Sequence, residues 1–354
     1  MSRETHVLHI VDRVTGGVPA AVATYIQNSP PGYQHSVLSP FLNGTASSIW
    51  NGVDAKMLDL GDGHLSRIDR VRKTWRAERP EVVHAHSSFA GAYTRLALRR
   101  GGPRIVYTPH CFAFERQDIG RAERVAYRLA EWLFSLNTDI LAACGQGEKL
   151  IADRLGPLRG RTIYVPNVAS IESAAPQEWR DGPLRVAMLG RLTSQKDPDY
   201  FADLVRDLRA RGIELEATWI GDGDSEPAAR LARAGIRVTG WLPKHQVRTE
   251  LAAQSVYLHT AAWEGFPLAL LDAHACGVPM LCRGINALSD LPESLLIDHG
   301  YDGLVDAANS PVTFSAWARS IRESWEVYLA DNSARGQMAA LASAWSPTSE
   351  RITK

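Results

Sequence analysis

Two carboxylates, Glu264 and Asp272, lie eight positions apart in the stretch Trp263–Pro279, whose residue types predict a loop followed by a short helix. Gly265 is free to take positive φ in the loop. Pro267 suits the first helical position, because that position needs no N–H. A helix N-terminus attracts anions, phosphates above all. Since Glu264 is itself an anion, we expect it to face away from a bound phosphate, towards donor-rich groups such as sugar hydroxyls.

The spacing of these carboxylates bears on the kind of reaction. A helical rise over eight residues is roughly 12 Å. The two carboxyls of a retaining glycosidase lie only about 5–5.5 Å apart. Glu264 and Asp272 are therefore expected to contact two parts of one long substrate. The alternative is an ordinary helix start, with a solvated Glu264 and a capping Asp272.

A second group of charges follows the apolar run Leu184–Leu189, which predicts a buried strand. Arg191 and Lys196 come directly after this strand. A fork-shaped guanidinium and a compact ammonium at one strand end can neutralise the charge that develops on a leaving diphosphate. Asp197 and Pro198 then predict a helix start, with Asp197 as its cap. The alternative is a pair of surface cations without function.

These segments together resemble the group 1 glycosyltransferases of the large fourth family, which are retaining enzymes of the GT-B fold. Glu264 and Asp272 match the E-x7-E pattern, with Asp in place of the second Glu. The segment 275–279, Ala-Cys-Gly-Val-Pro, continues the match, and Gly190–Lys196 matches G-R-L-x-x-x-K. The resemblance spans nearly the whole chain and is most specific in its second half.

The resemblance implies a role for each matching residue. Arg191 and Lys196 would hold the diphosphate of a nucleotide diphosphate sugar, Glu264 would orient the sugar, and Asp272 would hold the ribose. The leaving phosphate would deprotonate the acceptor, so no protein base is required. Other implied donor-binding residues lie in loops near the phosphates or the base: Gly16, Gly17, Trp241, Gly265, Phe266 and Pro267.

In the first half, two histidines end apolar strands, where ligands bind in parallel sheets. They are His86 and His110, and both resemble histidines that the family keeps between its domains. His110 is expected to line the sugar site and to be catalytic, with Arg191, Lys196 and Glu264. His86 and Asn167 are candidates for the acceptor side. His84 lies inside its strand and is expected to belong to the core.

The glycine pair Gly16–Gly17 follows the first predicted strand and lets the backbone approach a ligand closely; a plain tight turn is the alternative. The pattern G-x-G-x-x-G is absent, which excludes a typical nicotinamide site. Pairs of the form Asp-x-Asp occur, but their surroundings match turns of the resembled family. No metal and no cofactor are therefore expected, and the nucleotide sugar is a co-substrate.

Alternating strands and helices over 354 residues predict an α/β protein with two doubly wound, Rossmann-like domains facing a cleft. The acceptor-binding domain is placed at 1–168, a linker at 169–183 and the donor-binding domain at 184–335. A helical pattern over 311–338 precedes a terminal helix beginning near Trp345, within a segment 336–354 that crosses back to the first domain.

The net charge is zero, but residues 1–168 carry 21 basic and 15 acidic residues, so the first half is basic and the second acidic. A basic first half suits an anionic membrane or a phosphate-bearing acceptor; an accident of solvated faces is the alternative. Nucleic acid is excluded, because no basic and aromatic binding module is present. The segment Arg121–Phe134 predicts an amphipathic helix. A membrane-surface helix is one interpretation, and packing of Val125, Leu129 and Leu133 on the protein is the favoured one.

The sequence thus predicts a retaining, metal-independent glycosyltransferase that uses a hydroxyl acceptor, with a lipid-linked acceptor as one alternative. Exopolysaccharide, capsule, lipopolysaccharide or another glycoconjugate is the expected product. The expected location is the cytoplasm, where the four cysteines would stay reduced, or the inner face of the membrane. A nucleotide-sugar epimerase of the same fold and a non-catalytic nucleotide-sugar-binding protein remain as alternatives.

Overall fold

The structure of the chain is a computed structural model that describes residues 4–99, 101–175, 179 and 182–346. The chain divides into two compact units, Met1–Val168 with Asp331–Lys354 and Ala169–Ala330. Part of the linker predicted at 169–183, residues 176–178, 180 and 181, lies outside the described residues, as does the end of the chain from 347.

The first unit is built on a parallel sheet of seven strands in the order β3-β2-β1-β4-β5-β6-β7. Its strands are β1 Thr5–Val11, β2 Tyr33–Ser39, β3 Lys56–Asp59, β4 Val82–His86, β5 Arg104–Thr108, β6 Ile140–Ala143 and β7 Arg161–Tyr164. The helices between them are α1 Gly17–Gln27, α2 His64–Glu78, α3 Ser88–Ala97, α4 Arg121–Phe134 and α5 Gln146–Leu155. Since the order reverses next to β1, ligand-binding loops are expected beyond the carboxyl ends of β1 and β4.

The second unit is built on a parallel sheet of five strands in the order β10-β9-β8-β11-β12. Its strands are β8 Leu184–Leu189, β9 Leu215–Ile220, β10 Ile236–Val238, β11 Val256–His259 and β12 Met280–Cys282. Its helices are α6 Pro198–Ala210, α7 Ser225–Arg233, α8 Lys244–Ala252, α9 Leu268–Ala275, α10 Ile297–Ala307 and α11 Pro311–Tyr328. The switch point here lies between β8 and β11, the strands that precede the two charged loops singled out in the sequence.

The end of the chain differs from the sequence prediction. The helix predicted over 311–338 is two helices, α11 and α12 Ala334–Trp345. The break falls where Ser333 caps α12 by accepting the N–H of Gly336. The prediction that a terminal helix begins near Trp345 is wrong, because α12 ends there. Apolar packing fixes this helix on the first unit, where Trp345 is fully buried among Val7, Tyr25 and other core residues.

The segment Arg121–Phe134 is helical, as predicted, but the favoured account of its apolar residues is wrong. Val125, Leu129 and Leu133 are 67%, 52% and 47% exposed. In α4 the buried residue is instead Glu131, which accepts a hydrogen bond from Arg95 at 2.9 Å. The exposed residues recur every four positions and form one stripe along α4. Within the described residues, no helix has the length and apolar character that crossing a membrane requires.

Candidate functional site

The stretch Trp263–Pro279 forms the predicted loop and helix, with two local differences. Pro267 is the N-cap (φ −72°) and α9 begins one residue later, at Leu268. Gly265 is not among the glycines with positive φ, so the loop does not use the freedom expected of it. Phe266 is buried, at 5% exposure, and anchors the loop beside α9. The loop therefore presents the helix N-terminus as the sequence predicted.

The loop after β8 is fastened to the loop after β11. The N–H of Ala262 donates to the carbonyl of Gln195 at 2.8 Å. The hydroxyl of Thr260 donates to the carbonyl of Lys196 at 2.8 Å. Asp197 takes positive φ (52°) and caps α6 by accepting the N–H of Tyr200 at 3.1 Å, which confirms the predicted cap. These contacts bring the predicted phosphate-binding cations and Glu264 to one edge of the sheet.

Within this edge, Lys196 and Glu264 form an ion pair, and their side chains are only 17% and 11% exposed. Gln195 donates to the second carboxylate oxygen of Glu264 at 3.4 Å. Arg191, in the same loop after β8 as Lys196, is exposed. The predicted diphosphate ligand and the predicted sugar ligand are thus partners of each other in this structure. A ligand that binds the ammonium of Lys196 must therefore separate this ammonium from Glu264.

Asp272 is placed differently from a solvated nucleotide ligand. It is 5% exposed and accepts the N–H and the hydroxyl of Ser170, at 2.6 and 3.0 Å. Burial raises the pKa of Asp272 to about 6, although the bonds from Ser170 act against the rise. Trp241, predicted near the base, is 76% exposed and free to stack on a ring. The ribose and base contacts remain predictions.

In the first unit, Gly16 has φ 96° and directly precedes α1, so the predicted glycine turn requires glycine there. A Cβ at Gly16 or Gly17 would have no atom of the described residues within 4 Å, so these residues leave the space beside the two glycines open. The N-terminus of α1 is thereby exposed at the end of β1, where the resemblance places donor phosphate or acceptor.

His110 sits on a strained turn after β5. His110 and the next residue, Cys111, both have positive φ, 52° and 109°. The buried carboxylate of Glu148 accepts the N–H of Cys111 at 2.7 Å and that of Cys144 at 2.8 Å. Burial is the main cause that raises the pKa of Glu148. Strain of this kind persists only where the surroundings hold it, and it gathers at functional sites.

Four imidazoles form a hydrogen-bonded chain that ends at His110. His35, His9, His86 and His110 are joined in that order by contacts of 3.2, 3.1 and 3.1 Å between ring nitrogens. At the other end, His35 contacts the hydroxyl of Ser29 at 2.8 Å. Burial lowers the pKa of each ring, to about 4 for His35 and about 3 for His110, so the rings are neutral near pH 7. Each N–H···N contact holds one proton, so the four tautomers must change together. We call this group the imidazole chain.

His9, His84 and His86 also bring ring nitrogens within 4.8 Å of one another, a spacing that three metal ligands could have. His84 contacts Thr108 Oγ1 at 2.8 Å and Trp345 Nε1 at 3.2 Å, so both its nitrogens are used. Both nitrogens of His9 and of His86 are used within the imidazole chain. A metal would have to break several of these contacts, and the arrangement is better described as a polar network in the core.

The two acceptor-side candidates are buried. His86 is fully buried within the imidazole chain, and Asn167 is 2% exposed, with its side chain accepting from the hydroxyl of Tyr25 at 3.4 Å. His84 is fully buried, as predicted. Within the first unit, the structure brings His86 to His110 directly. Their roles towards an acceptor stay predictions.

Sequence reasoning passed over His9, His35 and His259. His9 and His35 lie inside buried strands. The available signal was the alternation His84-Ala-His86, because residues two apart share a face of a strand and this pattern indicates a polar face inside the sheet. His9 pairs with His84 in register between β1 and β4. His259 ends the apolar strand β11, and a polar residue ending a fully buried strand deserved the reasoning given to His110.

Comparisons with known proteins show the family to which the chain belongs. A family model described as glycosyl transferases group 1 matches residues 183–324, and a glycosyl transferase 4-like domain matches residues 32–168. The chain is 25% identical over 264 residues to an Escherichia coli UDP-Gal:α-D-GlcNAc-diphosphoundecaprenol α-1,3-galactosyltransferase, covering 68% of this chain and 66% of the relative. It is 23% identical to an uncharacterized 41.2 kDa protein in the cps region of Klebsiella pneumoniae, covering 85% of each.

Solved structures share the fold. The apo lipopolysaccharide outer core galactosyltransferase WaaB matches with a TM-score of 0.67 at 20% identity, over 96% of this chain and 99% of that one. Anabaena HepE, solved with UDP and glucose, matches with a TM-score of 0.71 at 13% identity, over 97% and 100%. Together with the two parallel sheets, these matches confirm the predicted GT-B fold.

Proposed function

Because the chain belongs to the group 1 glycosyltransferases, we propose that it transfers a sugar from a nucleotide diphosphate sugar to a hydroxyl group of a glycoconjugate acceptor. The anomeric configuration is retained and no metal ion takes part. The observation that carries this proposal is the placing of Arg191, Lys196 and Glu264 at one sheet edge, beside the N-terminus of α9. Cations and helix amides there can stabilise the diphosphate as it leaves.

The product class is proposed from the relatives. The Escherichia coli relative is named for a diphosphoundecaprenol-linked acceptor, and the Klebsiella relative for its cps region. We therefore expect the acceptor to be a lipid-linked saccharide or another precursor of a surface polysaccharide.

Replacement of Lys196 tests this function. Lys196→Ala should lower kcat/KM by the equivalent of about 2–5 kcal/mol, because one partner of a desolvated charge pair with the diphosphate is lost. The control is Arg206→Ala, which removes a cation from the exposed face of α6, where its ion pair among the described residues is with Asp203. Steady-state rates of donor consumption, with a panel of nucleotide sugars and lipid-linked acceptors, give the comparison.

A loss of kcat/KM under threefold in Lys196→Ala would contradict the assignment.

Activity should also survive EDTA, because positive side chains face the diphosphate. Abolition of activity by EDTA, with rescue by manganese, would contradict metal independence. Release of nucleotide diphosphate only when acceptor is added separates the transferase from the epimerase alternative, which would convert the nucleotide sugar to its epimer without acceptor. Tight donor binding without turnover would favour a non-catalytic protein.

We further propose that the stripe Val125, Leu129 and Leu133 on α4 contacts an anionic membrane surface. Arg121, at the N-terminus of α4, and Arg128 are exposed beside this stripe and complement such a surface. A stripe of this kind would hold the enzyme near a lipid-linked acceptor.

Vesicle sedimentation tests this contact. Replacing Val125, Leu129 and Leu133 together by Ser should weaken binding to vesicles that contain phosphatidylglycerol. The matched control is Val327→Ser, on α11, where an exposed valine (80%) lies on the other unit. Equal sedimentation of both variants and the wild type would contradict the proposal, as would absence of binding by the wild type.

A further inference from the structure

His259 is a buried histidine with one nitrogen left over. It is the last residue of β11 and has no exposed surface. Its Nδ1 contacts the hydroxyl of Tyr257 at 3.1 Å. Its Nε2 has no hydrogen-bond partner among the described residues. A buried polar atom without a partner is costly, and in a native structure it calls for an explanation.

The unpaired nitrogen faces Glu264. His259 Nε2 lies 4.0 Å from Oε1 of Glu264, the same oxygen that Lys196 contacts. A carboxylate shift of about 1 Å would bring it within hydrogen-bond distance of the ring. The ammonium of Lys196 and the ring of His259 therefore face the same carboxylate oxygen.

The partners of the ring decide which nitrogen carries the proton. When the hydroxyl of Tyr257 donates to Nδ1, a neutral ring carries its proton on Nε2, directed at Glu264. Burial, and next the charge of Lys196, lower the pKa of His259, so the ring is neutral while Lys196 is near. His259 is thus a neutral donor beside an anion whose present partner is a cation.

Donor binding would change this balance. In the proposed function Lys196 turns to the diphosphate, which leaves Glu264 nearly buried and without its cation. A buried carboxylate without a partner is strongly unfavourable. Gln195, at 3.4 Å from the other oxygen, is a weak substitute. Among the described residues, the ring of His259 offers an unused side-chain nitrogen 4.0 Å from this carboxylate.

We propose that His259 is a positioning residue that takes over the carboxylate of Glu264 when Lys196 moves to the donor diphosphate. The N–H of Nε2 then donates to Oε1 and holds the carboxylate towards the sugar. His259 makes no contact with substrate in this scheme and acts through Glu264. The inference rests on the proposed function, since it requires a diphosphate to displace Lys196.

The test is a double-mutant cycle on nucleotide binding in the full chain. The probe is whichever of UDP, GDP, ADP and dTDP binds most tightly by calorimetry. His259→Phe keeps the ring and removes both nitrogens, and it should weaken that binding about tenfold or more, the range of a hydrogen bond to a charged group. His259→Gln retains a donor and should recover most of the loss. In a Glu264→Gln background, His259→Phe should change binding less than about twofold, because no anion is left to hold.

A second measurement is made on the wild-type protein, and a variant of the site serves only to assign the signal. With 15N-labelled histidine, the Nε2 proton of His259, assigned by its loss in His259→Gln, should shift downfield when the nucleotide is added. His299→Leu, an exposed histidine on α10, is the control for both experiments. The control should bind the nucleotide like the wild type.

Three results would overturn the inference. They are wild-type nucleotide affinity in folded His259→Phe, an equal loss in the Glu264→Gln background, and an unchanged Nε2 signal on binding. The proposed function fails separately, when none of the four nucleotides binds or when Lys196→Ala binds them like the wild type. If His259→Phe does not fold, the Gln variant and the nuclear magnetic resonance measurement decide.

Discussion

In each sheet, a strand ends in a buried histidine: β4 ends in His86 and β11 ends in His259. The surroundings of the two histidines differ. In the first unit, the imidazole chain uses both nitrogens of His9 and His86, and each ring is held by the next. In the second unit, the described residues give His259 one hydrogen-bond partner, Tyr257, and leave its other nitrogen unused beside an ion pair. A filled network favours one fixed arrangement. An unfilled position beside Lys196 and Glu264 favours an arrangement that changes with the ligand. The comparison therefore separates a rigid support from a responsive one.

The largest effect is expected on the responsive side. Glu264→Gln keeps the shape of the side chain and removes its charge. The interaction of that charge with the sugar should strengthen as the sugar ring becomes cationic. We therefore expect kcat to fall about a hundredfold, a larger factor than any rise in donor KM. Asp272→Asn should chiefly raise donor KM and the Ki of free nucleotide diphosphate, because its predicted contact is the ribose. Steady-state kinetics on both variants measure the difference, with circular dichroism to confirm folding.

Wild-type kcat in Glu264→Gln, together with a loss of kcat in Asp272→Asn and unchanged nucleotide binding, would reverse the two roles. Asp272→Glu is the matched control on size. It restores the residue usual in the resembled family, yet the carboxylate is buried against Ser170, so the added methylene should cost stability.

An effect of intermediate size is expected when His86 and His259 are compared directly. His86→Phe leaves Nδ1 of His9 and Nε2 of His110 without partners inside the core, so the free energy of unfolding should fall by about 2–4 kcal/mol. His259→Phe removes a single contact, to a hydroxyl that also lies 3.4 Å from the carbonyl of Leu189, so its cost should be about 0.5–1.5 kcal/mol.

Nucleotide binding should show the opposite order. The affinity of His86→Phe for the nucleoside diphosphate should stay within about twofold of wild type, while that of His259→Phe falls about tenfold. Urea unfolding and calorimetry on both variants measure the two quantities. If the two substitutions cost the same stability, the contrast between a filled and an unfilled network is wrong.

The sequence predicted well where local chemistry decides the structure. The mainly apolar run Leu184–Leu189 located β8 to the residue, and Asp197 before Pro198 located the start of α6. It failed where distant packing decides. The stripe on α4 has the period of a packed face, yet no part of the described chain covers it. The end of α12 is fixed by burial of Trp345 against strands more than 200 residues earlier, a contact that has no local signal.

The site was predictable by type and less so by arrangement. The motifs placed Arg191, Lys196 and Glu264 at strand ends, but spacing alone could not show that Lys196 and Glu264 pair with each other. That pairing depends on the register of two loops joined through Gln195 and Thr260. The imidazole chain was hidden for a related reason. Single histidines in apolar strands suggest core positions one at a time, and only the sheet order brings β2, β1, β4 and β5 side by side.

The smallest effect tests how far the filled network reaches. The indole N–H of Trp345 can only donate, so Nδ1 of His84 must accept it, and the remaining proton of His84 sits on Nε2 and points to Thr108. Trp345→Phe keeps an aromatic ring in α12 and removes this donor. The free energy of unfolding should fall by about 1–3 kcal/mol through the lost hydrogen bond and the smaller ring, with donor KM and kcat nearly unchanged.

The 15N shifts of His84 in Trp345→Phe should move towards a mixture of tautomers. Those of His9 and His86 should stay, because His84 makes its hydrogen bonds to Thr108 and Trp345 and packs at a tilt against the rings of His9 and His86. A shift of the His110 signals would show instead that the imidazole chain and His84 form one hydrogen-bonded network. That network would then extend to the C-terminal helix α12 through Trp345.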